Sequence, residues 1–281
     1  MYEFRLEIAG IIIGLRSTQK LEKNIVKQLR LFKSTKVPQI VFEVTPQPLQ
    51  VKYPTERSNA PVRYQYTDSG DTLFQSHLFQ VCWKKSSGTI AYPVYLQEHD
   101  AYLQHRGLLG AIKALWTYLF TKRGGQVLHA SAVAQGQGAL LFAGVDEAGK
   151  TTVAKMLSPA PILNDDVVGV YQSGAGEFSV CATPFVFDGE PHKPLERKIV
   201  MAFALNQSTE TKTVPMKRTD SLRTLLASVI LPEGCREFEA RALGDCLKLA
   251  ESVLWHELHF TLDPQKTSLE ISQCLRRHGL D

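Results

Sequence analysis

The segment Gly144-Val145-Asp146-Glu147-Ala148-Gly149-Lys150-Thr151 restricts this chain more than any other stretch. It fits the pattern G-x-x-x-x-G-K-[ST] and directly follows Ala139-Leu140-Leu141-Phe142-Ala143, an apolar run of strand length. A buried strand that enters a glycine loop and then a helix leaves few architectures. The glycines let the main chain curl so that N–H groups converge on phosphate oxygens. The helix that follows adds its positive N-terminal end. In such a loop Lys150 reaches the β- and γ-phosphates, and the Thr151 hydroxyl ligates Mg²⁺. The expected cofactors are therefore ATP and Mg²⁺, with the nucleotide held by Gly144, Ala148, Gly149, Lys150, Thr151 and Thr152. A glycine turn between strand and helix with no ligand is the competing reading. Asp146 and Glu147 fit a polyanion site poorly. Pointing outward, they are screened by solvent; pointing inward, they weaken nucleotide binding or make it depend on the metal.

Hydrophobic patterning places this loop within a longer sequence of elements. Tyr2–Leu15 reads as an opening strand or hairpin. Leu21, Ile25, Leu29 and Phe32 then share one helical face, opposite Lys20, Lys23, Lys27 and Arg30, and Pro38 marks the end of that segment. From Gln39 to Leu96 short apolar runs alternate with turns such as Asp68-Ser69-Gly70-Asp71 and Ser86-Ser87-Gly88. A helix is expected from about Ala101 to Lys122, closed by Lys122-Arg123-Gly124-Gly125. Gln126–Val133 and Ala139–Ala143 read as the two strands of a hairpin around Gln135–Gly138. The loop helix covers roughly Gly149–Leu157, stopped by Pro159 and Pro161.

Asp165-Asp166 follow the short strand Ile162-Leu163. An acidic residue at the end of a neighbouring strand is what a phosphate loop needs to hold Mg²⁺. Two adjacent carboxylates allow one to serve the metal and the other to take a proton from an attacking hydroxyl. A solvated Asn-Asp-Asp turn is the plain alternative. His129 lies on the strand before the loop, and its spacing alone gives it little weight.

Together these features resemble a known family. Leu128-His129-Ala130-Ser131-Ala132-Val133, the glycine turn, the strand, G-x-x-x-x-G-K-T-T and Asp165-Asp166 resemble the catalytic core of the HPr serine kinase/phosphorylase family. The likeness is closer to HPr-kinase-related proteins outside sugar regulation, including those that phosphorylate peptides. That core is similar to phosphoenolpyruvate carboxykinase. The resemblance implies an α+β fold. A PEP carboxykinase/HPr kinase-like P-loop core of mixed sheets with flanking helices would occupy 101–281. The first hundred residues do not resemble the N-terminal domain of the classical regulator; they read as a smaller N-terminal α/β region, 1–100, with substrate recognition as a candidate role. The resemblance also implies that His129 partners the catalytic aspartate and that Lys150 and Thr151 bind phosphate and Mg²⁺. The aspartate pair would supply the base and a metal contact; Asp165 is expected to be the base and Asp166 the metal contact. Ala182-Thr183-Pro184-Phe185 resembles the Thr-Pro-Phe element that follows the aspartates in these proteins, and Glu190, His192, Lys193 and Arg197 form a charged stretch beyond it. Thr151-Thr152 replaces the serine and glutamate of the bifunctional enzyme, and its glycine-arginine signature near the C-terminus is missing. Both departures argue against phosphorylase activity and against HPr as substrate.

The expected activity is transfer of the ATP γ-phosphoryl to a hydroxyl, in particular a serine of a peptide or protein, or a small molecule. A nucleotide-binding switch without transfer is the alternative. Members of the family that this chain resembles assemble, which leaves a homo-oligomer open, but no interface is readable in the sequence. Carboxykinase chemistry would need a second metal-binding histidine or lysine set, which the sequence does not offer. The net charge of +4 over 281 residues gives no footprint of a nucleic-acid binder. The longest apolar stretch, Gly107–Phe120, contains Lys113 and falls short of the roughly 20 residues of a membrane span. Cys82, Cys181, Cys235, Cys246 and Cys274 form no CxxC pair, so reduced thiols in a cytoplasmic protein are expected rather than a zinc cluster or disulfides. His256-Glu257-Leu258-His259 is not H-E-x-x-H and lies in a strand-like segment, Trp255–Leu262. The basic face of Lys20–Lys33 reads as the solvated side of an amphipathic helix, with docking on an acidic surface or a membrane headgroup layer as the alternative, since Glu22 is its single acidic residue.

Overall fold

The computed structural model describes the backbone of residues 1–47, 63–66, 72–76, 78–93, 101–174, 176–186, 191–231 and 236–280. They form two compact units, each built on a mixed sheet.

The first unit is built on Met1–Lys122. Strands β1 (Tyr2–Ile8) and β2 (Ile11–Ser17) form the expected hairpin. Ala9 and Gly10 turn it with φ of 49° and 72°, the left-handed pair that a two-residue hairpin turn requires. The basic periodic segment is helical only over α1 (Lys23–Leu29) and continues as a single 3-10 turn to Phe32. Ile25, Leu29 and Phe32 are buried while Leu21 is half-buried, so the apolar stripe packs over a shorter length than its period suggests. Next come β3 (Ile40–Gln47), β4 (Arg63–Tyr66), β5 (Thr72–Gln75), β6 (Gln80–Lys84) and β7 (Ser87–Pro93). They complete a sheet in the order β1-β2-β3-β7-β6-β5-β4, parallel at β2–β3 and β3–β7. Ser87 and Gly88 belong to β7 rather than to a turn. A Cβ at Gly88 would lie 2.3 Å from the Trp83 Cβ, so the close strand approach there requires glycine. The expected turn at Asp68–Asp71 lies outside the described residues. Helix α2 (Ala101–Lys122) buries Leu108, Ile112, Leu115 and Trp116. Among the described residues no helix is long and apolar enough to cross a membrane.

The second unit, Arg123–Ile230 with Glu237–Asp281, carries the glycine loop. Strands β8 (Gly125–Gln135) and β9 (Gly138–Ala143) form the hairpin that the two apolar runs predict, and β9 is buried throughout. The loop leads into α3 (Lys150–Met156), then β10 (Ile162–Asn164), β11 (Val167–Ser173), β12 (Glu177–Cys181) and the long β13 (Glu196–Gln207). β14 (Lys212–Pro215), α4 (Arg218–Ser228), α5 (Arg236–Ser252), β15 (Trp255–Phe260) and α6 (Pro264–Arg277) follow.

One edge of β8 pairs with β11 at Gly125–His129 and with β10 at Ala132 and Val133. The break between those partners is Asp165-Asp166. The other edge of β8 pairs with β9, which lies parallel to β13; β13 pairs with β12, and β12 with β11. The strand pairing therefore closes on itself, and this ring holds β9 and the β10–β11 break in fixed register. β15 extends it, parallel to β13. Phe142 and Phe203 stack at 5.5 Å, and together with Val153, Phe260, Ile271 and Leu275 they join the sheet to α3 and α6 in one core. Each such side chain contributes about 1.5–3 kcal/mol by burial. The Asp263 carboxylate caps α6 by accepting from the Gln265 and Lys266 N–H groups at 3.0 and 3.1 Å, with Pro264 in the first turn.

Candidate active site at the glycine loop

The loop is shaped by two glycines with different duties. Gly149 has φ +97°, and a Cβ there would lie 2.6 Å from Phe260 Cζ. A Cβ at Gly144 would lie 2.9 Å from that of Ala148, so the two ends of the curl touch. Glu147 takes the left-handed conformation at φ 64°, and its carbonyl accepts from Gln207 Nε2 at 2.8 Å. Val145, Asp146 and Glu147 form an exposed tip.

Lys150 is buried, and its ammonium folds back into the curl. Nζ donates to the Gly144 and Val145 carbonyls at 3.1 and 2.9 Å. Its own carbonyl accepts from the buried hydroxyl of Ser131 at 3.1 Å. Burial holds the Lys150 pKa below the usual lysine value, and the Asp146 and Asp166 carboxylates oppose that shift. Next on α3, the Thr151 hydroxyl donates to the Asp165 carbonyl at 3.1 Å, and the half-buried Thr152 follows.

The Asp165-Asp166 break is held from behind by Asn164, which is fully buried. Its Oδ1 accepts from the Asp166 and Val167 N–H groups at 2.7 and 2.8 Å. Its Nδ2 donates to the Thr183 and Phe185 carbonyls at 2.9 and 3.3 Å. The Thr183 hydroxyl in turn donates to the Val167 carbonyl at 2.6 Å. Thr183-Pro184-Phe185 is thus a strap that locks the aspartate turn through one amide side chain. The Ala130 N–H donates to the Asp166 carbonyl at 3.1 Å and docks the same turn on β8.

His129 stands on β8 opposite Val167 and bridges loop and turn. Its Nδ1 lies 3.0 Å from Asp146 Oδ1, and its Nε2 lies 3.1 Å from Asp166 Oδ1. A neutral ring offers one N–H, so the two contacts are both hydrogen bonds only when the ring is an imidazolium. Asp146 remains 79% exposed while making its contact. His192 Nε2 lies 3.8 Å from Asp165 Oδ1. The sequence placed His192 only in a charged stretch. Of that stretch, Lys193 is exposed, Arg197 donates to the Glu196 carbonyl from β13, and Glu190 lies outside the described residues.

The structure therefore brings together His129, Gly144, Ala148, Gly149, Lys150, Thr151, Asp165 and Asp166, with Thr152 next along α3. The imidazole of His129 meets Asp166 and Asp146, whereas Asp165 faces His192. Ser131, Asn164 and Thr183 are the positioning residues that motif reading alone does not identify.

The chain matches no protein-family profile and no curated protein. Among solved structures it is similar to the HPr(Ser) kinase/phosphatase from Coxiella burnetii, with a TM-score of 0.30 and 12% identity, over 55% of this chain and 97% of that one. This is a distant structural similarity.

Proposed function

We propose that this protein is an ATP- and Mg²⁺-dependent phosphotransferase that moves the γ-phosphoryl group to a hydroxyl, with a serine of a peptide or protein, or a small alcohol, as acceptor. The observation that carries the proposal is the docking of the Asp165-Asp166 turn on the start of α3, where the Thr151 hydroxyl donates to the Asp165 carbonyl. A buried ammonium, a hydroxyl and two carboxylates within one loop-and-turn unit are the parts that in-line phosphoryl transfer needs.

The donor set suits the cofactors. The Thr151 hydroxyl and the aspartates offer hard oxygen donors of the kind Mg²⁺ takes. When bound, Mg²⁺ supplies charge neutralisation between the phosphate oxygens. Lys150 then exchanges the Gly144 and Val145 carbonyls for the β- and γ-phosphates, and the loop N–H groups hold the rest of the charge. Asp166, oriented by His129, is the carboxylate for the metal, because a ligand is commonly fixed by a group behind it. Asp165 is the base. It accepts the acceptor hydroxyl proton as the new O–P bond forms and the bond to ADP breaks, and His192 lies next to the oxygen that takes up that proton. The N-terminal unit is proposed as the region that selects the acceptor.

A second reading is a nucleotide-binding switch without transfer, favoured by Asp146, which places a carboxylate on the loop itself. Calorimetric titration with ATP separates binding from its absence. Binding that requires Mg²⁺ and is lost in Thr151→Ala supports the site as described. Failure to bind ATP with or without Mg²⁺ removes both readings.

A further inference from the structure

The strand β15 and the end of α6 carry a second cluster of chemistry-bearing side chains. Alternate residues of a strand point to opposite faces. His259 accordingly pairs with Glu257 at 3.1 Å, on one side. His256 points to the other side, where it is buried and meets α6. There its Nε2 lies 3.3 Å from Nε2 of His278. The buried Cys274 offers its sulfur to the same point: ligand atoms of His256, Cys274 and His278 all lie within 4.8 Å of one another. Cys274 Sγ also contacts Met201 Sδ at 3.7 Å.

Three features distinguish this cluster from ordinary packing. Cys274 and His278 are four residues apart at the end of one helix, a spacing that puts both donors on the same side, with the third from a neighbouring strand. The 3.3 Å between the imidazole nitrogens is the edge of a tetrahedron around an ion with Zn–N bonds of about 2.0–2.1 Å. His256 is almost fully buried, and its Nε2 meets a second imidazole there. Access exists: His256 and His278 line a cavity of about 570 Å³ together with Trp255, Met216 and Arg218. The Arg277 guanidinium, tied to Glu270 at 3.0 Å, lies beside the Cys274 sulfur.

We infer that His256, Cys274 and His278 form a binding site for a borderline-soft divalent metal ion, Zn²⁺ by donor type, separate from the oxygen-donor Mg²⁺ position at the glycine loop. Two imidazoles and one thiolate select Zn²⁺ over Mg²⁺. The cavity lined by His256 and His278 leaves room for water as a fourth ligand. The ion ties the end of α6 to β15 and so fixes the helix that backs Phe260, the residue against Gly149. The absence of a CxxC pair hides this site in the sequence, because its donors come from one strand and one helix 18 and 22 positions further on.

The test uses the full-length, reduced, metal-free protein titrated with Co²⁺ and then Zn²⁺. The wild type is expected to give a near-ultraviolet thiolate-to-cobalt charge-transfer band at one ion per chain, displaced by Zn²⁺, and a Zn²⁺-dependent rise in Tm. His278→Ala changes an exposed residue at the helix end and should fold; it is expected to lose the band and at least tenfold in Zn²⁺ affinity. Cys274→Ser should lose the band as well. His259→Ala should keep both band and affinity. A wild-type protein without the band in excess Co²⁺, or a His278→Ala protein that binds Zn²⁺ as the wild type does, would overturn the inference.

Discussion

His129 Nε2 lies 3.1 Å from Asp166 Oδ1, while the other nitrogen of the same ring lies 3.0 Å from Asp146 Oδ1. One imidazole thereby connects the tip of the glycine loop to the aspartate turn. The loop carboxylate that fits a polyanion site poorly has a partner, and it faces that partner rather than solvent alone.

This pairing separates the two duties of the site. His129→Ala should leave ATP affinity within a few-fold of the wild type and lower the transfer rate about 10–100-fold, because it frees Asp166 and the exposed Asp146 while Lys150 and Thr151 keep their own contacts. Asp146→Asn removes a negative charge from the loop. It should tighten ATP binding by about 3-fold at low salt, with the gain fading as ionic strength rises. Titration calorimetry at two salt concentrations checks the affinities, and transfer of labelled phosphate checks the rate.

Lys150 gives a pH dependence with a definite sign. Its folded-state pKa lies below the usual lysine value because burial penalises the ammonium. The unfolded chain therefore binds more protons in the window between the two values, and stability rises as pH rises through it. Lys150→Met should abolish ATP binding yet be more stable than the wild type near neutral pH. That difference in Tm should shrink as pH rises toward the usual lysine value of about 10.4, as the wild type sheds its buried charge. Thermal melts across this range measure it.

The Asn164 clamp predicts a stability loss at a residue that touches no substrate. Asn164→Ala removes the hydrogen bonds from the Asp166 and Val167 N–H groups and those to the Thr183 and Phe185 carbonyls, and should cost about 3 kcal/mol. Thr183→Val removes the bond to Val167 and should cost about 1–2 kcal/mol. Both should lower the transfer rate, since the aspartate turn loses its fixed position. Denaturant unfolding gives the two energies.

Gly149 cannot carry a side chain for two independent reasons. Gly149→Ala meets the Phe260 ring and is strained at φ +97°. Phe260→Leu in the same protein should recover part of the lost stability, from the contact, while nucleotide binding stays impaired by the backbone. Melting temperature and ATP affinity of the double variant report the two effects.

These relationships divide by range along the chain. The hairpin of β8 and β9, the loop and the Asp165-Asp166 break are local patterns, legible because alternation, glycine placement and a short apolar run each carry their own signal. Ser131, Asn164 and Thr183 are not legible that way. Asn164 acts through Thr183 and Phe185, and a buried amide and a surface amide look alike in one dimension. Thr-Pro-Phe is visible only by resemblance, and its physical role as a strap depends on β10 and β11 sharing one edge of β8. His192 likewise meets Asp165 only once β12 and β13 bring its segment back. The apolar face of α1 is readable, but its length is not, because packing at Phe32 favours a 3-10 turn over a further helical one. Side-chain alternation in β15 explains why His256 and His259, three apart, have unrelated partners.

The account rests on phosphoryl transfer from this loop. The most direct measurement is incubation with γ-labelled ATP and Mg²⁺ together with a mixture of serine-containing peptides. The account predicts label on peptide hydroxyls with the wild type, and none with Lys150→Ala or Asp165→Asn, of which Asp165→Asn still binds ATP. Tight Mg²⁺-dependent ATP binding by the wild type with no label on any peptide, protein or small alcohol would contradict it.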